Sequence, residues 1–520
     1  MSYKKNITFF LLLLSTNACL SSSSEDISGT LFGNSFFRPR SASVNAARDL
    51  IGTHRFINLY QPQNNFYGAF TVTPEYSQAY KTYQIAESFF SKSNLSISGS
   101  NVAHRSANDL LADYFGLSTT FQSDVTLKPF FQNTLIDFAF YGGWGPFYIR
   151  VHAPYVWNKA GITLEESVVQ SGIETPYPAN YMSQDSISAP AQTFTEAMSG
   201  DFTWGDIGTP LNFGKISQKS IGIQKLSAVE CAVGYNFLWN EKNVTGLSFR
   251  FTIPTGNRST AEYLFEPMIG DSKEWQLGFG INSRWLLWEK DIDQKGYIFF
   301  NINALHLLSS KQKRSFDLIT PNGFGSRYVL AKEFNNGIYT RDTQPLINFT
   351  TLDCDVHIAI QVDFILLFTL LHKNYTFDIG YEGWIRSSEG ITLKETINQN
   401  KYGLKGIANV TDTNGASNST QSSATIYGSP LSEQQDVIDA NPPVFITPAT
   451  IDIRSGASSR QLSHKIVTYG GYTWEINDHF KPYTGVGFSV EFEGNRPKNV
   501  QPNKKSMSMW TIDFKVGTGF

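Results

Sequence analysis

The side chains of this 520-residue chain that could do chemistry are its histidines, carboxylates and cysteines, and their spacing supports little of it. There is no nucleophile elbow, no histidine pair with metalloprotease spacing, no glycine-rich phosphate loop and no Cys/His cluster with zinc spacing. His152 and His357, with Asp137, Asp355 and Asp363, would make a hydrolytic site only if the fold gathered them, and scattered polar lining is the better reading. Cys231 and Cys354 are too few and too far apart for a disulfide framework, and read as small apolar strand residues. No residue is assigned as catalytic, and no cofactor or metal is expected.

Whatever positions these polar groups repeats with a period of two, not 3.6. Phe147, Ile149, Val151, Ala153 and Tyr155 alternate with Tyr148, Arg150, His152 and Pro154, which makes a strand with one apolar and one polar face. Leu247, Phe249, Phe251 and Ile253 alternate in the same way with Ser248, Arg250 and Thr252. Tyr375, Phe377, Ile379 and Tyr381 face away from Thr376, Asp378, Gly380 and Glu382.

Composition and connections narrow the class. Charged residues are 17% of the chain, below the roughly 25% of soluble chains, while aromatics reach 14%. The net charge of −3 offers no basic surface for nucleic acid. The longest apolar run in the body, 364–371 with Thr369 inside it, falls far short of the about 20 residues of a spanning helix. From residue 132 onward the proposed turns alternate in length: 142–145 short, 158–220 long, 239–243 short, 255–272 long, 289–295 short, 309–353 long, 372–373 short, 387–462 long and 477–478 short. The last, 494–505, is intermediate. A soluble sandwich has no reason to sort its loops by end, whereas a transmembrane barrel has short periplasmic turns, long outer loops, an apolar band and a polar lumen. Closure also satisfies every backbone group within the bilayer. Trp144, Tyr235, Trp239, Trp285, Trp288, Tyr375, Tyr472 and Trp474 fall near strand ends, where amphipathic rings favour the membrane interface.

The final strand carries a resemblance. Phe514, Val516, Thr518 and the terminal Phe520 form an alternating apolar series that resembles the last strand of Gram-negative outer-membrane β-barrels, and the pattern over 66–520 is similar to porin-like channels. The resemblance implies an all-β, antiparallel up-and-down barrel in the cell outer membrane, in contact with membrane lipid and lipopolysaccharide. It also implies recognition of Phe514, Val516, Thr518 and Phe520 by the barrel-assembly machinery, and a homo-trimer as the common assembly.

Twelve strands are expected, starting near residues 66, 132, 146, 222, 243, 273, 296, 354, 374, 463, 479 and 507. Counting 81–90 and 118–128 as well gives fourteen, the preferred number, with twelve as the alternative. The stretch 108–115 reads as a short helix stopped by Gly116. Residues 1–18 read as a secretory signal, with Lys4 and Lys5 ahead of an apolar core and Ala18 at the cleavage point. A lipidated Cys19 is the lesser alternative, because Thr16 stands where such sites usually carry a branched apolar residue. Residues 19–65 form a separate segment in which Ser43 caps a short helix ended by Gly52, either plugging the lumen or lying beneath the barrel as a lid. The stretch 409–423 reads as surface loop.

Strand parity sends Arg150, Arg250, Arg284, Arg386, Lys465, Lys481 and Lys515 to the interior, with His152, Asp137, Glu230, Asp355, Asp363, Asp378, Glu382, Glu475, Glu491 and Asp513. Charged linings set ion preference in water-filled pores, and the slight acidic excess points to weak cation selectivity. The expected function is passive diffusion of small hydrophilic solutes and ions. Two alternatives stand: a plugged barrel carrying hydrophobic molecules such as fatty acids, served by the inward Ile365 and Leu367, and a non-transporting surface adhesin or receptor. An open polar lumen, an apolar tunnel or a sealed lumen with ordered loops would separate the three.

Overall fold

The computed structural model describes residues 33–520 except 62–64, 104, 107–108, 173–176, 178–186, 292, 320–324, 337, 396, 405–409, 412–416, 419–444, 478–479 and 495–505. The expected signal segment, Cys19 and most of the 409–423 stretch lie outside the described residues.

Twelve antiparallel strands close into a barrel: β1 (Phe66–Ala79), β2 (Gln122–Trp144), β3 (Phe147–Gln170), β4 (Ala228–Trp239), β5 (Asn243–Pro254), β6 (Gln276–Asp291), β7 (Gln294–Ser315), β8 (Thr351–His372), β9 (Tyr375–Arg386), β10 (Gln461–Thr473), β11 (Lys481–Glu493) and β12 (Met509–Gly519). Each pairs with the next, and β12 returns to β1 with Val516 opposite Val72, so no edge strand is left in the wall. The connections sort by end as expected, with tight turns at one end and the long excursions 80–121, 171–227, 255–275, 316–350 and 387–460 at the other.

All twelve expected strands are present, and the alternative count of twelve holds over fourteen. Two short helices matter, α1 (Ala46–Leu50) and α2 (Tyr83–Phe90). The stretch 81–90 is α2 because Ile85, Ala86, Phe89 and Phe90 bury one helical stripe, a 3.6 period that a strand cannot present to one side. The stretch 118–128 supplies the first part of β2, whose alternating burial runs unbroken through Pro129. Proline there removes a ladder donor and interrupts the sequence pattern without ending the strand. The 108–115 helix is smaller than expected: Leu110–Leu111 pairs with Ile97–Ser98, and only Ala112–Phe115 coils, as a 3-10 turn. Gly116 does stop it, at φ 73°.

The outward faces are apolar. Phe249, Phe279, Ile379, Ile466, Phe488 and Phe514 stand exposed around the wall, an area of grease far beyond a soluble surface patch. At the turn end Trp144, Tyr235, Trp285, Trp288, Tyr375 and Trp474 are all at least 40% exposed, a girdle at the interface; Trp157 and Trp275 stand on the opposite rim. The wall therefore spans a membrane with its strands, and no helix among the described residues is long and apolar enough to do so. Phe279, 68% exposed at mid-wall, is a sensitive reporter. Phe279→Arg should cost about 2–4 kcal/mol of folding stability in lipid vesicles, measured by reversible denaturation, whereas the same change in a soluble shell would be nearly neutral.

Four strands outrun the bilayer. β2, β3, β7 and β8 have 22–24 residues against the about 9–11 that crossing needs, so they rise above it and carry a cap. The loop-end cap has its own apolar core, in which Phe89, Phe115, Phe194, Phe265 and Tyr328 are buried. The β7–β8 register slips between Leu305 and Ser310, and on β8 both Ala359 and Ile360 face outward between buried Ile358 and Gln361. That irregularity flips the parity above it. Asp355 and His357, assigned to the interior by simple alternation, consequently point outward: Asp355 pairs with Lys394 at 2.7 Å, and His357 is exposed.

Candidate functional site

The barrel interior is occupied by the chain's own residues 34–60. The segment enters at the loop end, where Asn34 N donates to Ser88 O and Ser35 N to Ser455 O. It leaves at the turn end, where the Trp239 indole donates to Leu59 O at 3.0 Å and the Tyr141 hydroxyl donates to Asn58 Oδ1 at 3.0 Å. It is threaded along the whole lumen, inside the barrel, as a plug.

Its helix is short and locally encoded. The cap is Asn45, not Ser43: Asn45 Oδ1 accepts from Arg48 N at 3.0 Å. Gly52 turns the chain just after it at φ 70°, where an added Cβ would lie 2.5 Å from the Tyr469 ring. One face of α1, with Ala46, Ala47, Leu50 and Ile51, packs on Phe299, Ile365, Leu367 and Val467. Ile365 and Leu367 do face inward as expected, but the plug covers them.

Phe56 also stacks on Tyr483 and Phe37 meets Phe265 edge-on, but many of the remaining plug contacts are charged. Arg38 forks onto Glu274 at 2.7 and 3.0 Å and reaches Glu389 at 2.9 Å. Arg40 binds Glu382 and lies 3.2 Å from Glu491. Arg48 donates to Asp137 at 2.9 Å and Glu75 at 3.0 Å. Gly52 N donates to Asp378 at 2.8 Å, and His54 sits 3.7 Å from the same carboxylate. In the other direction the Lys515 ammonium donates to the carbonyl oxygens of Arg48 and Ile51, the latter at 2.8 Å. It thereby satisfies carbonyls that the short helix leaves open at its end. Lys515→Met should loosen the plug by about 1–3 kcal/mol, read as faster hydrogen exchange over 45–55 with the wall strands unchanged.

Most inward residues expected from parity meet at this plug. Arg150 lies 3.7 Å from Asp49 and over the Tyr141 ring; His152 is held among Asp49, Asp137 and Glu230. Arg250 joins Glu230 at 3.1 Å and Asn303 at 2.9 Å, and Asn303 in turn donates to Asp363 at 2.7 Å. Arg284 donates to Asn58 O and lies over Tyr297. Arg386 donates to Arg38 O and to Gln461. Lys465 reaches Asn45, Glu382 and Glu491, and Asp513 is buried beside Gly487. Two assignments shift: Lys481 and Glu475 lie at the turn-end rim, Lys481 half-buried and Glu475 58% exposed at 3.7 Å from Arg55. His152 and Asp137 do come together, but both are buried under the plug and held in ion pairs, out of reach of a substrate.

Parity did not single out Glu75, Glu274, Glu389 or Arg314, which complete the plug's seat. Glu274 precedes β6, Glu389 follows β9, and Arg314 lies above the bilayer on β7, over the Phe36 ring. Only the basic run Arg38, Arg40 and Arg48, set against an acid-rich wall, could have signalled them.

No protein-family model matches the chain, and no curated protein matches it. Among solved structures it is similar to the CymD monoaromatic hydrocarbon channel, at 6% identity and a TM-score of 0.25, covering 88% of both chains. It is also similar to a Pseudomonas aeruginosa FadL homologue, at 5% identity and 0.25, covering 88% of this chain and 89% of that one. A third is the outer membrane protein OprD from Pseudomonas aeruginosa, at 7% identity and 0.20, covering 95% and 97%. Overlaps this slight fix neither fold nor function; the closed strand pairing and the apolar belt establish the membrane barrel.

Proposed function

We propose that the chain is an outer-membrane channel for small hydrophilic solutes and ions, closed at rest by its own N-terminal segment. The supporting observation is the chemistry of the plug's seat. Residues 34–60 are held mainly by ion pairs and hydrogen bonds to inward wall side chains, so a displaced plug leaves a polar, wettable lumen. A path for fatty acids or other hydrophobic molecules would need continuous apolar lining, whereas Ile365 and Leu367 form one patch already covered by α1. Movement down a gradient needs no catalytic residue and no cofactor.

With the long-loop end outward, as in outer-membrane barrels, the plug enters from the cell surface and ends at the periplasmic rim. Displacing it withdraws Arg38, Arg40 and Arg48 from an acid-rich wall, so the open pore prefers cations. The C-terminal series ending in Phe520 serves assembly, and a trimer through the lipid-facing wall is the assembly proposed. A second reading, a sealed barrel displaying its loops, is favoured by the ordered cap and its apolar core.

Planar-bilayer recording of the full chain separates the two. The channel reading expects rare openings that become frequent in moderate urea, which frees a hydrogen-bonded segment before a closed barrel, with a cation-selective reversal potential. Silence across the urea range, from a barrel still shown intact by heat-modifiable electrophoretic mobility, favours surface display.

A further inference from the structure

We infer that the solute this pore favours is a small guanidinium-bearing cation, and that the plug's arginines occupy its binding seats while the barrel is closed. The inference deepens the gated-channel reading and rests on it.

Residues 34–60 carry Arg38, Arg40, Arg48 and Arg55 and no lysine. Down a segment that runs from the loop end to the turn end, the first three each meet a pair of wall carboxylates. Arg38 lies between Glu274 and Glu389, Arg40 between Glu382 and Glu491, and Arg48 between Glu75 and Asp137.

The contacts at Arg38 show why the matching group is a guanidinium. Nη1 and Nη2 donate to the two oxygens of Glu274 at 2.7 and 3.0 Å, while Nε lies 2.9 Å from Glu389 Oε1, so three nitrogens of one plane are used at once. Arg48 divides its donors in the same way, with Nε on Asp137 and Nη1 on Glu75. An ammonium is a compact point charge and cannot span two acids with such a fork.

Each seat is left acidic when its arginine withdraws. Glu389 keeps Arg314 at 3.4 Å, but Glu274 keeps only the neutral Gln312 amide. Glu382 and Glu491 share one cation, Lys465, at 3.3 and 3.7 Å. Asp137 keeps His152, and Glu75 pairs with no further cation among the described residues. Two acids stand against one basic residue at every seat, so each suits a singly charged solute. Conduction needs a solute bound well enough to enter and weakly enough to leave, and a hydrated row of such seats provides both.

The test is chemical rescue in the full chain. Arg48→Ala removes the atoms of ethylguanidinium from its seat, and that compound is the probe. Ethylammonium has the charge without the fork, and N-ethylurea has the planar shape without the charge. Hydrogen exchange over the plug, raised by the truncation, is read in the folded, heat-modifiable chain, with Arg40→Ala as a second variant. Ethylguanidinium should restore protection at a concentration at least about tenfold below that of ethylammonium, because it makes a further charge-assisted hydrogen bond. N-ethylurea should restore none. Across a bilayer holding the same variant, the bi-ionic reversal potential should show ethylguanidinium to be more permeant than ethylammonium despite its larger size. Rescue by ethylammonium at equal concentration, rescue by none of the three, or a reversal potential favouring ethylammonium would overturn the inference. Silence with every cation would overturn the solute assignment through the channel reading, and the exchange arm, which needs no conductance, shows whether the seats failed as well.

Discussion

Replacing Arg48 by alanine should turn a mostly closed barrel into a frequently conducting one. Arg48 is 3% exposed and donates to Asp137, Glu75 and the Ala42 carbonyl, so its loss strands two buried carboxylates at mid-lumen. Breaking a buried ion pair by removing one partner costs about 3–5 kcal/mol. The damage falls on the seated plug alone, because with the plug withdrawn Asp137 and Glu75 are hydrated by the lumen. A bias of that size raises the open population roughly 150- to 5,000-fold. Open probability in planar bilayers is the readout, with Arg48→Lys as partial rescue. An unchanged open probability in an intact Arg48→Ala barrel would show that the plug is not held by this pair.

Arg327→Ala should melt the cap while leaving the wall standing. The Arg327 backbone N, Nε and Nη2 all donate to Asp317, at 2.7–3.0 Å, and its Nη1 reaches the Asn34 carbonyl where the plug enters. Neither side chain of the pair is more than 2% exposed. Burial already pushes the Asp317 carboxyl above its ordinary value in spite of the opposing guanidinium, so losing Arg327 leaves an acid that is costly to keep charged. The expected cost is again about 3–5 kcal/mol, but it is confined to the structure above the bilayer. Limited proteolysis should then cut within 316–350 at low protease, while the barrel keeps its heat-modifiable mobility. Cleavage of wall strands at the same protease dose would mean that cap and barrel fold as one unit.

These two variants fall on parts of the molecule that were unequally legible. The wall was readable because a two-residue period with lipid outside and charge inside leaves the same trace in every strand. Phe514, Val516, Trp144, Trp285, Trp288 and Trp474 fall where that trace puts them, whereas the register shift between Asn236 and Leu238 turns Trp239 inward to Leu59 of the plug. It failed where local chemistry intervened. Pro129 hid the continuity of β2, and the slip beside Ile358 carried Asp355 and His357 to the outside. α2 presented apolar residues that a strand reading accepts, and only their packing under the cap shows the helical period.

The site was half visible. Parity found the wall's charges, and their acidic excess was a genuine sign of missing cations. It could not tell that Arg38, Arg40 and Arg48 supply them, because alternation describes a strand's two faces and is silent about what fills the space between strands. The 27 residues from 34 to 60 have no long periodic element, only α1 with five residues, so their placement depends on tertiary ion pairs.

The central claim is that residues 34–60 close an otherwise aqueous pore. Single-channel recording of the full chain beside a chain lacking those residues, both shown to be folded, tests it most directly. The account predicts a nearly silent full chain, and stable, ohmic, cation-selective steps from the shortened one. A folded, shortened barrel that remains silent would contradict it and leave the loops as the molecule's working part.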